Sequence, residues 1–290
     1  MSPSLAQSPP VLDRIALLLD GPPADPDRSA GYLDLLGPAA GPAPTPAQSV
    51  MQSRFLPRVY ERIWRPVGFN LAKGWPLGPD TAAEHALARD WLGLGRPGSA
   101  GRPDATVLDV ACGPGNVTRA LAAGVSAGGL VVGLDAAATM LARAASEATA
   151  SVSATVETTA EAAVRPGSGR GADPRGAEIG YVRGDAVHLP FLDATFDAVC
   201  CFGALYLFDD PWAAIDSMTR VLKPGGRLVV LTTRRPALPV SRLGTELIGR
   251  AAGVTMFGDR EVVRALTERG FSDVRRRRYP LMQLAGARRP

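Results

Sequence analysis

The chain has 290 residues, 46% of them hydrophobic and 21% charged, with a formal net charge of +4. This balance fits a globular protein of one ordinary domain plus extensions; it excludes a disordered chain and calls for no nucleic-acid partner. Three cysteines, Cys112, Cys200 and Cys201, offer neither metal-ligand spacing nor a disulfide framework, so reduced thiols, no metal and a cytoplasmic location are expected.

Residues 1–50 are rich in Pro, Ala and Gly, and pieces such as Gly37-Pro-Ala-Ala-Gly-Pro-Ala-Pro-Thr-Pro46 predict an extended, mobile segment. Within it, Val11 to Asp20 has the pattern of a short amphipathic element. The first ten residues lack the charged and apolar regions of a signal peptide. The uncharged run Ala120 to Leu134 stops short of the roughly 20 residues that a bilayer span needs. Residues 51–100 predict a helical cap. Phe55, Val59, Ile63 and Trp64 fall near one helical face, and Ala82 to Leu94 forms a second helix that delivers the chain to the first strand.

The stretch Val107-Leu-Asp-Val-Ala-Cys-Gly-Pro-Gly-Asn-Val-Thr-Arg-Ala-Leu121 carries the strongest signal. Val107, Leu108 and Val110 predict a buried parallel strand. The loop Ala111 to Gly115 holds Gly113 and Gly115, which permit a sharp turn and close approach to a ligand. Val117, Ala120 and Leu121 then repeat at helical spacing, so backbone N–H groups at the helix start face the ligand. A dinucleotide fingerprint would place a third glycine at position 118, where this chain has Thr118. Asp109 adds a carboxylate that repels a pyrophosphate but suits the ammonium group of a methionine moiety, directly or through water. The expected cofactor is therefore S-adenosyl-L-methionine (SAM).

Gly129-Leu-Val-Val-Gly-Leu-Asp135 reads as a second strand ending in an acid. Asp135 stands about 20 residues beyond the glycine loop, the spacing at which a carboxylate meets ribose hydroxyls, and it also suits a helix N-cap. Ala136 and Met140 follow on a new helix; Met140 suits either the adenine face or the core. Thr149 to Glu178 combines Ser/Thr/Ala/Val with an Arg/Gly/Pro run and predicts a mobile surface insert. Tyr181-Val-Arg-Gly-Asp185-Ala186 is a third strand ending in an acid; Asp185 suits the exocyclic amine of adenine, and the Ala186 N–H a ring nitrogen. A fourth strand ends at Phe202. A fifth starts after Pro224-Gly-Gly, and a last helix stopped by Gly270 precedes the basic run Arg275-Arg276-Arg277-Arg278, read as a solvated edge strand.

Four blocks, L-D-V-A-C-G-P-G, V-G-L-D…M-L, G-D-A-x-x-L-P-F…F-D and R-V-L-K-P-G-G-R-L, occur in order between Val107 and Thr232. Together they resemble the core of class I, Rossmann-like SAM-dependent methyltransferases, and most of all the small-molecule branch of ubiquinone/menaquinone methyltransferases. The resemblance implies an α/β, doubly wound, seven-stranded sheet with an antiparallel last strand and an N-terminal helical cap, the core covering residues 101–290. It implies cofactor contacts at Asp109, Ala111, Gly113, Gly115, Asp135, Ala136, Met140, Asp185, Ala186 and Phe202. Tyr60, Trp64 and Tyr206 are expected near a small-molecule acceptor. No catalytic base is assigned: the only histidines are His85 and His188, and His188 reads as a surface residue.

The function that follows is methyl transfer to an O or C atom of a small apolar or aromatic acceptor. Two alternatives stand beside it. The words Gly31-Tyr-Leu-Asp-Leu-Leu36 resemble a segment of rRNA guanine methyltransferases, although residues 1–50 contain no cysteine for a zinc ribbon. A non-catalytic SAM-binding protein would retain the same acids and glycines.

Overall fold

The computed structural model describes residues 11–21, 23, 25–37, 71–74, 78–95, 104–148, 177–236 and 253–290. The expected helix with Phe55, Val59, Tyr60, Ile63 and Trp64 lies outside these residues, as does residue range 149–176 of the expected insert. The final residue of that insert, Glu178, opens a strand.

Among the described residues eight strands form one sheet: β1 (Leu33–Asp34), β2 (Thr106–Val110), β3 (Leu130–Asp135), β4 (Glu178–Arg183), β5 (Phe196–Phe202), β6 (Leu222–Thr233), β7 (Ser272–Arg278) and β8 (Met282–Arg288). Their order is β1-β4-β3-β2-β5-β6-β8-β7. β1 to β6 pair in parallel, and β8 is antiparallel to both β6 and β7. The central strands are Val/Leu/Ala/Cys-rich because both faces are covered: Val107, Leu108, Val110, Val131, Val132, Leu134, Val199, Val229 and Val230 are fully buried. The sheet departs from the expected seven strands by the short β1 on its outer edge.

That extra strand comes from the segment expected to be mobile. Helix α1 (Val11–Ala16) packs Ile15, fully buried, onto β4, and Leu33 of β1 is fully buried beside Val182. Arg183 clamps β1 by donating to Asp34 and to the Gly37 carbonyl, each at 2.9 Å. Arg14 of α1 pairs with Glu178 at the start of β4. The amphipathic element expected over Val11 to Asp20 is α1 with buried Ile15 and Leu19, whereas proline and glycine content averaged over 50 residues hid the apolar pair Tyr32 and Leu33.

Helix α2 (Thr81–Leu92) starts at Asp80, whose side chain accepts from the Ala83 N–H, and stops at Gly93 in the left-handed region, two residues before the expected end. Glu84 in its first turn is buried against Lys73 at 2.8 Å, tying residues 71–74 to the helix. Helix α3 (Asn116–Ala122) follows β2, α4 spans 138–148, α5 (Pro211–Val221) runs directly into β6, and α6 (Glu261–Glu268) precedes β7. Gly270 ends α6 with φ 80°. The strand order reverses at β2, with β3 on one side and β5 on the other, so a crevice opens beyond the carboxyl ends of these strands.

Ile15 tests whether α1 belongs to the core. Ile15→Ala is expected to lower unfolding free energy by about 2–5 kcal/mol, the usual cost of truncating a buried branched side chain. Urea denaturation followed by circular dichroism measures it; a loss of about 0.5 kcal/mol or less, the surface norm, would mean that α1 contributes little to stability.

Candidate active site

The loop from Ala111 to Gly115 joins β2 to α3 through three left-handed residues: Ala111 (φ 57°), Gly113 (φ 54°) and Gly115 (φ 76°). Ala111 takes this conformation without glycine's freedom, at a cost of roughly 1–2 kcal/mol. The Cys112 N–H donates to the Leu134 carbonyl at the end of β3, and the Gly113 N–H to Asp135 Oδ2 at 2.8 Å. The loop is thus fastened to the neighbouring strand, not only to its own.

The two glycines serve different ends. A Cβ at Gly113 would meet nothing within 4 Å, so this Cα borders open space. A Cβ at Gly115 would stand 2.4 Å from the Tyr181 hydroxyl. Tyr181, on β4, crosses Gly133 of β3 and supports the loop from beneath, packed with Cys112, Leu141 and Ala144. Its hydroxyl is buried without a hydrogen-bond partner, and burial pushes its pKa up, against the opposing influence of Arg119. Sequence reasoning quoted Tyr181 only as part of a strand; the signal for its role is a large aromatic in register with Gly133.

Asp109 is also turned inward. It is 1% exposed, and its carboxylate accepts from Thr118 Oγ1 at 2.7 Å and from Cys200 Sγ at 3.3 Å. Asp109, expected to suit the ammonium group of SAM directly or through water, is here buried and braces β2, α3 and β5. Thr118, which stands where a dinucleotide fold would have glycine, supplies the hydroxyl that makes this burial tolerable. Burial, with Asp109 nearby, raises the Cys200 thiol well above its usual value; Cys112 is raised by burial and by Asp135 and Asp109. Both are protonated, inert thiols at neutral pH.

Asp135 combines the two roles open to it at the N-cap side: Oδ1 accepts the Ala137 N–H at 2.8 Å just before α4, while Oδ2 holds Gly113. A carboxylate has about four acceptor sites, so these bonds are compatible with meeting a pair of vicinal hydroxyls as well. Ala136 is exposed beside it, and Met140 is buried on the first turn of α4. Beyond β4, Asp185 accepts the Val187 N–H at 2.8 Å and meets His188 Nδ1 at 2.7 Å, with Ala186 between them. His188 is exposed, and its pairing with Asp185 was not anticipated.

Phe202 ends β5, 6% exposed, and lies edge-on to His85 of α2 with ring centroids 6.0 Å apart. Tyr206 is buried in the 3-10 turn that follows, Leu205–Leu207. His85 was noted in the sequence only as one of two histidines. The segments after β4, β3, β2 and β5 are contiguous in the sheet order, so Asp185, Asp135, the glycine loop and Phe202 line one edge.

Residues 108–230 match the family model described as "Methyltransferase domain". The chain is 37% identical over 137 residues to demethylmenaquinone methyltransferase of Lactiplantibacillus plantarum, covering 47% of this chain and 48% of that protein. It is 33% identical over 156 residues to 2-phytyl-1,4-naphthoquinone methyltransferase of Synechococcus elongatus, covering 54% and 58% respectively. A solved structure of geranyl diphosphate C-methyltransferase from Streptomyces coelicolor shares the fold, with TM-score 0.53 and 14% identity over 76% of this chain and 88% of that one. Over residues 108–230 the chain is thus similar to a methyltransferase domain, and its sheet has the Rossmann-like order. In sequence it resembles the quinone methyltransferases. The chain spans about half the length of the curated relatives it matches.

The contact between Gly115 and Tyr181 is open to a double-mutant test. Gly115→Ala is expected to destabilise by more than its φ cost of roughly 1–2 kcal/mol, because the new methyl group meets the hydroxyl. Tyr181→Phe alone removes a buried, unpartnered hydroxyl and should be close to neutral. In the double mutant part of the loss should return. Additive effects in thermal melts would separate the two residues.

Proposed function

We propose that this chain is a SAM-dependent methyltransferase that acts on an O or C atom of a small, apolar, aromatic acceptor of the quinone class. The observation that carries this reading is the continuous line of strand ends, Asp185, Asp135, loop 111–115 and Phe202, at the point where the strand order reverses. The names of the relatives support the acceptor class.

The residues present fit SAM. Open space over the Gly113 Cα admits a ligand close to the backbone, and the Asp135 carboxylate, already oriented by two N–H groups, suits the ribose diol. Asp185, with the Ala186 N–H beside it, suits the adenine edge, and Met140 its face. Asp109 lies beneath the loop and contributes by holding Thr118 and the start of α3 in place. When bound, the cofactor supplies an electrophilic methyl group on sulfur, and the protein supplies position.

Phe202 and His85 come together beyond β5, with Tyr206 in the turn that follows, and would form the wall against which a planar acceptor lies. Such a wall would exclude water and align a nucleophilic atom with the methyl group, and a base is needed only where the acceptor must lose its proton to become nucleophilic. Tyr60 and Trp64, proposed for the same wall, lie outside the described residues.

Two measurements test the reading. Asp135→Ala should weaken SAM at least tenfold, about 1.4 kcal/mol, by calorimetry on folded protein; equal affinity would remove Asp135 from the cofactor site. Labelled SAM should transfer its methyl group to a chemically reduced prenyl-naphthoquinone, and Asp135→Ala should slow transfer at limiting SAM. Tight SAM binding with no transfer to quinols, phenols, RNA or extracted lipids would favour the non-catalytic binder.

A further inference from the structure

The basic run Arg275-Arg276-Arg277-Arg278 takes no part in the site above. It forms β7, the exposed edge of the sheet, and because β8 is antiparallel to β6, the turn after β7 lies at the same end of the sheet as Thr233 and Phe202. Residues 253–290 contain nine arginines against four acids, Asp259, Glu261, Glu268 and Asp273. The stretch carries a formal charge of +5, above the +4 of the whole chain, with Arg288 and Arg289 at the end of β8 opposite the turn.

The acids do not neutralise it. Asp259 alone faces Arg234, Arg276 and Arg278 at 2.8, 3.1 and 3.7 Å, and Asp273 faces Arg227 and Arg275 at 3.0 and 3.1 Å. Arg277 is exposed and has no acidic partner among the described residues.

The tip of this rim is apolar. The Leu281 N–H donates to the Ala72 carbonyl at 2.9 Å, which sets residues 71–74 against the turn. Leu281 is 38% exposed and Leu71 58% exposed, two of the five large hydrophobic side chains exposed among the described residues. Exposed Pro280 lies between Leu281 and the arginines.

We propose that this rim is a docking surface for an anionic lipid bilayer. Arginines attract the negative surface, their long stems letting the charge stay at headgroup level, while Leu71, Pro280 and Leu281 enter the boundary with the acyl chains. The two apolar tips distinguish this surface from a simple polyanion site, since a phosphate backbone gains nothing from exposed leucines. The mouth of the crevice at the ends of β5 and β6 then faces the membrane, the phase in which an apolar acceptor is concentrated.

The test needs neither cofactor nor acceptor, so its outcome is independent of the proposed activity. The full chain is sedimented with vesicles of phosphatidylcholine alone or with about 30% phosphatidylglycerol, at low and high salt. Binding is expected only to the anionic vesicles and should weaken with salt. Arg277→Glu with Arg278→Glu should lower the partition coefficient at least tenfold, and Leu71→Gln with Leu281→Gln severalfold, both with an unchanged circular dichroism spectrum. No binding by the native chain, or equal binding by both double variants, overturns the proposal. Loss on charge reversal with full binding by the leucine variant would mark a polyanion site such as one for nucleic acid, and overturns the bilayer assignment.

Discussion

The Asp135 carboxylate is the joint on which the candidate site depends. One side chain at the end of β3 accepts the Gly113 N–H from the loop after β2 and the Ala137 N–H at the entry to α4. Hydrogen bonds to a charged acceptor are short and roughly twice as strong as neutral ones, so two strand ends and a helix start are fixed together before any ligand arrives. The loop itself is under tension, with Ala111 in a backbone region that favours glycine. A strained loop persists where its surroundings over-determine it. Here Asp135 fastens it from the side, Tyr181 fills the space beneath, and the Asp109–Thr118 bond anchors the helix beyond.

Much of this was legible in the sequence because local chemistry and tertiary role coincide there. A Val/Leu run, a glycine loop and an apolar helix specify strand, turn and helix by period alone, and four such blocks in order specify the doubly wound sheet. Of the two roles read for Asp135, ribose ligand and helix N-cap, the bond it accepts from the Ala137 N–H before α4 corresponds to the second. The stop at Gly270 and the edge position of the arginine run followed from the same local rules.

What escaped the sequence depends on contacts between distant residues. Nothing near Asp109 announces that Thr118 and Cys200 will surround it, since the latter partner lies 91 positions away. Tyr181 looks like any strand aromatic until the register with Gly133 is known. The pairing of His85 with Phe202 requires the fold of α2 over the end of β5. Around β1 the error had a different source: composition describes an average, whereas docking needs only a few buried apolar side chains, here Tyr32 and Leu33.

The two-residue strand β1 has a consequence for how the molecule avoids its own copies. Without it, β4 would be the bare rim of a parallel sheet, and such a rim presents unpaired N–H and C=O groups that template association with another chain. Leu33 and Asp34 occupy the outer edge of β4 at Val182 and Arg183, and α1 packs against the same strand. Asp34 and Arg183 stand 149 positions apart, so this cover closes only after most of the chain has been made and folded. A shortened protein beginning just before β2 would keep every residue of the glycine loop and lose its guard, and edge-to-edge self-association is the failure that such trimming invites.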